Sequence, residues 1–179
     1  MKTRRFSHQA GLAALLTVVA ASTAPAATQG SLGTTSTGSV SISASVPSRV
    51  RISGLSDVAF TNADPSVDAS NAQNVCVWSN SSTNGYRVTA SGSGAGSAFT
   101  LANASLTVPY TVEWSASSGQ TSGSALTAGT ALTGLTSTAT NPNCASGPSS
   151  SASLIVKIAS ADLQGMAAST SYTGTLTLL

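Results

Sequence analysis

The chain has 179 residues, 41% of them hydrophobic, 4% aromatic and only 7% charged, with a formal net charge of +2. Lys2, Arg4 and Arg5 lie in a leader. The rest of the chain sets Arg49, Arg51, Arg87 and Lys157 against Asp57, Asp64, Asp68, Asp162 and Glu113. That near-neutral balance excludes the cationic footprint needed for nucleic acid or an acidic membrane surface.

Residues 1–27 read as a cleavable signal peptide. Lys2, Arg4 and Arg5 form its positive start, and Gly11–Ala21 (GLAALLTVVAA) an apolar run of roughly 11 residues, too short to span a bilayer. Ala24-Pro25-Ala26-Ala27 offers small residues for cleavage after Ala26 or Ala27. No second apolar run is present downstream, so no membrane anchor is expected after cleavage. The mature chain of about 150 residues suits one domain.

From there the signal is period two, the mark of strands with one buried face. Thr28–Thr37 is a polar lead with little to tie it down. Gly38–Val46 (GSVSISASV) alternates without a break, placing Val40, Ile42, Ala44 and Val46 on one face and serines on the other. Arg49–Ile52 extends this briefly after Pro47. Asn74–Ser79 (NVCVWS) is apolar on both faces, as in a central strand. Asn84-Gly85 marks a turn into Gly85–Ser91, with Tyr86, Val88 and Ala90 inward and Arg87 and Thr89 outward. Val108–Trp114 (VPYTVEW) points Val108, Tyr110, Val112 and Trp114 one way, and Pro109 suits an edge or a strand start. Leu154–Ile158 is a buried type of run broken only by Lys157. Tyr172–Leu179 ends the chain with Tyr172, Leu176 and Leu178 on one face. Segments 91–97, 115–124 and 136–151 read as Ser- and Gly-rich loops, and Ala161–Ala168 as at most a short helical turn weakened by Gly165. Short strands between turn signals predict an all-β, immunoglobulin-like antiparallel β-sandwich.

In an oxidising compartment Cys76 and Cys144 are expected to form one disulfide, two buried thiols being the alternative. Catalytic equipment is missing. The single histidine, His8, sits in the leader, leaving no imidazole for acid–base work or metal ligation, so no enzyme and no cofactor are expected. Asp57, Asp64 and Asp68 lie near one another but match no calcium loop and read as solvated loop residues. Glu113 lacks a partner carboxylate for glycoside chemistry and reads as an outward strand residue. Trp78, Trp114, Tyr86, Tyr110 and Tyr172 are expected in the core rather than on a carbohydrate platform.

The two ends are the distinctive part. An alternating strand succeeds the polar lead, and another alternating strand closes the sequence with nothing beyond it to cover an edge. Together with the Cys-containing strand that leads into GYRVTASG (Gly85–Gly92), VPYTVEW and the closing SYTGTLTLL (Ser171–Leu179), these segments resemble subunits of chaperone–usher pili. The likeness is to archaic and colonisation-factor major pilins and the related spore coat protein U domain, and it covers most of the mature chain. It implies a sandwich (47–179) lacking its last strand, filled first by a periplasmic chaperone and then by the N-terminal extension (28–46) of the next subunit. On that resemblance Val40, Ile42, Ala44 and Val46 are the donated side chains, and Tyr172, Leu176 and Leu178 lie on the acceptor's final strand. The implied partners are copies of itself or related subunits, the chaperone and an outer-membrane usher. The implied destination is the cell surface, by way of the periplasm. Three departures stand beside the resemblance: the cysteines are farther apart than a pairing of early strands suggests, the sequence stops at Leu179 where related sequences often continue a few residues, and the N-terminal strand is equally able to complete its own domain. A self-contained secreted binding module for carbohydrate or a host surface, or a coat protein, is the alternative.

Overall fold

The computed structural model describes residues 26–179; His8 and most of the expected signal peptide lie outside the described residues. The chain divides into two units, Met1–Val46 and Pro47–Leu179.

In the larger unit, β1 (Val50–Ser53), β2 (Ala69–Ser79), β9 (Ala152–Ile158), β6 (Thr111–Ser115) and β7 (Ser124–Ala125) form one antiparallel sheet in the order β1-β2-β9-β6-β7. A second sheet has the order β10-β3-β8, from Leu176–Leu178, Gly85–Gly92 and Ala131–Thr136. β4 (Thr100–Asn103) and β5 (Leu106–Pro109) make a separate hairpin. One core lies between the sheets. Val75 and Val77 of β2, Val112 and Trp114 of β6 and Leu154, Val156 and Ile158 of β9 meet Val88 and Ala90 of β3. The fold is therefore all-β and antiparallel.

The alternation explains most of this packing. Val108, Tyr110, Val112 and Trp114 are all buried as expected, yet the run is two strands rather than one. β5 ends at Pro109, which has no N–H to give a ladder. The chain then leaves β4 and joins β9, with Tyr110 between them donating its amide to Phe99 O at 2.9 Å. Trp114 meets Tyr86 edge-on at 6.5 Å between ring centroids and donates its Nε1–H to the Tyr86 hydroxyl at 3.1 Å. That partner satisfies the only polar atom of a fully buried indole.

β2 is apolar on both faces because both are covered. Val75 and Val77 face the core, whereas Cys76 packs with Ala139 and Cys144 and, at the margin, Trp78. The Cys76–Cys144 disulfide pins a loop onto the outer face of the sheet across 68 residues of sequence. Ser137 and Ser151 hydroxyls both donate to Val77 O beneath that loop, so the buried backbone there is satisfied. On β9, Ser153 is buried and donates to Ser117 O at 2.9 Å, so the 115–123 loop covers a second outward patch. A short helix α1 (Ser160–Gln164) comes after β9 and stops before Gly165.

Gly38–Val46 departs from its expectation. Thr28 and Ser39 form an isolated antiparallel bridge, but residues 40–49 hold no strand assignment. Val40, Ile42 and Val46 are 71%, 89% and 84% exposed. Alternation gives a segment one apolar face; only an edge to pair with makes it a strand.

Candidate assembly interface

Among the described residues the feature that invites a partner is a sheet edge. In the order β10-β3-β8 the two outer strands have one neighbour each. They differ in how that edge is kept. β8 is irregular: its register against β3 shifts between Tyr86 and Val88, and Gly134 in its middle has φ = 76°. A bulge of this kind bends an edge and spoils it as a template.

β10 has no such device. Leu176, Thr177 and Leu178 stand opposite Gly92, Ser91 and Ala90. Leu179 and Thr89 exchange both of their backbone hydrogen bonds, at 2.8 Å each. Further up, Thr173 and Ala102 exchange theirs at 3.0 and 2.8 Å, so β4 continues the same side of the ladder after the 93–99 turn. In an antiparallel pair, bonded residues alternate. The odd residues 173, 177 and 179 thus turn their N–H and C=O toward β3 and β4. Leu176 and Leu178 turn theirs to the opposite side, where no described strand lies. The same two residues send half-buried side chains against the core, as does Tyr172, whose hydroxyl accepts from the Ala167 amide at 3.1 Å. The geometry therefore presents an unpaired main chain directly above a partly open apolar core. What such an edge can do is accept one more strand.

The described part of the N-terminal unit carries the complementary feature by itself. Val40, Ile42, Ala44 and Val46 project exposed side chains at two-residue spacing from an unpaired backbone.

The remaining candidates have structural partners. Asp64 accepts from the amide and hydroxyl of Ser66, and Asp68 from the Ser160 amide at the start of α1; these hydrogen bonds hold both carboxyls below the usual carboxylate range. Asp64 and Asp68 also line a shallow depression of about 270 Å³ with Phe60 and Val67. Among the described residues no three His, Cys, Asp or Glu side chains are grouped to hold a metal. Glu113 pairs with Lys157 at 2.7 Å and accepts from the Gly123 amide, and its Lys157 bond above all keeps its carboxyl ionised to lower pH. That pair explains the lysine that interrupts β9. Tyr86 is half-buried and Tyr110 buried, and burial pushes both phenols up.

Sequence reading missed β4, β8 and the two-residue β7. The β4–β5 hairpin turns on Ala104-Ser105 with Ala104 at φ = 52°, a turn without the Asn-Gly or Asp-Gly signature. In β8 the bulge moves Leu132 and Leu135 three apart, which breaks period two. Comparison of the chain with protein-family models, with curated proteins and with solved structures finds no match.

Proposed function

We propose that the protein is a structural subunit of a surface pilus, polymerised by strand complementation. Its sandwich is, on this proposal, of the immunoglobulin-like kind. The unpaired edge of β10 carries it: an edge strand without a bulge, proline or charge to blunt it, set over half-buried Leu176 and Leu178. Residues 40–46 of another copy add as the missing strand. Their main chain pairs with Leu176 and Leu178, and Val40, Ile42, Ala44 and Val46 enter the core. A fully buried Val or Ile side chain contributes about 1.5–3 kcal/mol, so a few of them with their hydrogen bonds make a long-lived joint. Before assembly the same edge needs cover, the role of a periplasmic chaperone, with an outer-membrane usher as the exit.

The test is to express the chain with its leader, shear the cell surface and run the material on a gel without boiling. Strand-joined polymers give a ladder of subunit multiples that collapses on boiling, and deletion of Ser39–Val46 removes it while export continues. A stable single band from the intact chain would instead mean a self-contained binding module.

A further inference from the structure

The charges of the Pro47–Leu179 unit are sorted along its strands. β2 gives the axis, from Ala69 to Ser79. Beyond its last residue Asn80 accepts from the Arg49 amide at 2.6 Å, and Arg51 stands opposite Trp78. Arg87 comes soon after Gly85, the first residue of β3, whose carbonyl accepts from Ser79 Oγ. All three arginines are exposed. At the other end Asp68 adjoins Ala69 and caps α1, which contains Asp162. Asp64 lies in the loop that Gln164 ties to α1 through Pro65 O. Asp57 is next to Ser56, whose amide donates to Gln73, in the same half of the axis. Lys157 and Glu113 neutralise each other. Every other charged side chain of the unit therefore belongs to a cationic end or an anionic end. Each end also shows an aliphatic residue to solvent: Val50, 63% exposed, beside the arginines, and Val67, 57% exposed, between Asp64 and Asp68.

We infer that the partner of each end is the opposite end of a second copy of this chain, Arg49, Arg51 and Arg87 of one facing Asp64, Asp68 and Asp162 of the next. The inference rests on the polymer reading above and adds a second, charged joint to it. Opposite ends meeting make a heterologous contact, which propagates into a filament rather than closing a dimer. Charge complementarity sets its register and penalises like ends.

Chain direction agrees. Asn80 Nδ2 donates to Pro47 O at 2.9 Å, so the chain enters the unit at its cationic end. β10 runs from Leu176, opposite Gly92, to Leu178, opposite Ala90, which is from the anionic end toward the cationic one. A segment lying antiparallel to β10 leaves the acceptor at the anionic end and delivers the donor's arginines there. A parallel segment would bring two cationic ends together.

The experiment uses intact polymers of the Arg49→Lys, Arg51→Lys double variant, treated with a zero-length carbodiimide cross-linker and mapped by mass spectrometry. The expected result is amide cross-links from positions 49 and 51 to Asp64, Asp68 or Asp162 of another copy, lost at high salt. Ladders without such cross-links would overturn the charged joint and leave strand exchange standing, whereas loss of ladders from the unmodified chain would overturn the polymer reading and this inference with it. As a second readout, Arg49→Glu with Arg51→Glu lowers polymer yield about tenfold, and Asp64→Lys with Asp68→Lys in the same chain restores it. Failure of that restoration, with both variants folded, would also overturn the joint.

Discussion

Two stretches of this chain carry the same period-two pattern and meet opposite fates. Val108, Tyr110, Val112 and Trp114 are between 1% and 7% exposed. Val40, Ile42 and Val46 are between 71% and 89% exposed. The difference lies in the available edge rather than in the residues. β6 has β9 on one side and β7 on the other, so its main chain is paired and its apolar face is roofed by the second sheet. Residues 40–46 have the face without the ladder. Alternation thus encodes the capacity to be a strand, and a partner edge supplies the rest.

The contrast breaks most completely if the exposed stretch is removed. Deleting Ser39–Val46 should abolish polymers on unboiled gels and leave the unfolding midpoint of the Pro47–Leu179 unit unchanged. The buried stretch should behave in the reverse sense. Trp114→Ala should cost about 3–5 kcal/mol in denaturant unfolding, from the cavity and the unpartnered Tyr86 hydroxyl. Replacing Cys76 and Cys144 together by Ser should cost about 2–4 kcal/mol, since the bond closes a long loop and pins cover onto β2. Ile42→Ser sharpens the comparison further. It should change monomer stability by no more than about 0.5 kcal/mol, as for other exposed positions, while polymers dissociate at lower temperature.

The smallest effect is on pH. The carboxyls of Asp64, Asp68 and Glu113 are depressed below their ordinary values of 3.8 for Asp and 4.5 for Glu. Groups depressed in the folded state contribute stability that is fully present above the unfolded value and lost as pH falls through the folded one. Unfolding midpoints should therefore be flat above about pH 5 and decline below about pH 4.5. Glu113→Gln should make that decline shallower, and only modestly, because the pair with Lys157 is partly solvated.

The same physics decides how much of this was legible in the sequence. Strands β3 and β6 were readable because their inward residues repeat at two, β1 as a brief continuation of alternation, and β2 and β9 because they are nearly unbroken apolar runs. The disulfide was readable because the chain's two cysteines follow a segment that reads as a signal peptide. β8 was hidden by its bulge, β4 by a turn built on Ala104. The split at Pro109 was hinted at by the residue itself, but not the change of sheet that goes with it. Of the candidate edge, the sequence showed the inward face of Tyr172, Leu176 and Leu178. It could not show that the main chain of Leu176 and Leu178 is unpaired, because that depends on β3 and β4 lying together on the other side. Which segments cover the outer faces of β2 and β9 was also invisible: nothing in the Ser- and Gly-rich loops marks Ser137 and Ser151 as buried, nor Ser153 on β9 as roofed by the loop before β7.

The central claim is that the free edge of β10 receives residues 40–46 of another copy. Amide hydrogen exchange at Leu176 and Leu178, compared between isolated polymers and the monomeric Ser39–Val46 deletion, tests it most directly. The account predicts that both amides exchange readily in the monomer and are strongly protected in the polymer, together with alternate amides between Val40 and Val46. Equal, rapid exchange at Leu176 and Leu178 in the polymer would contradict it.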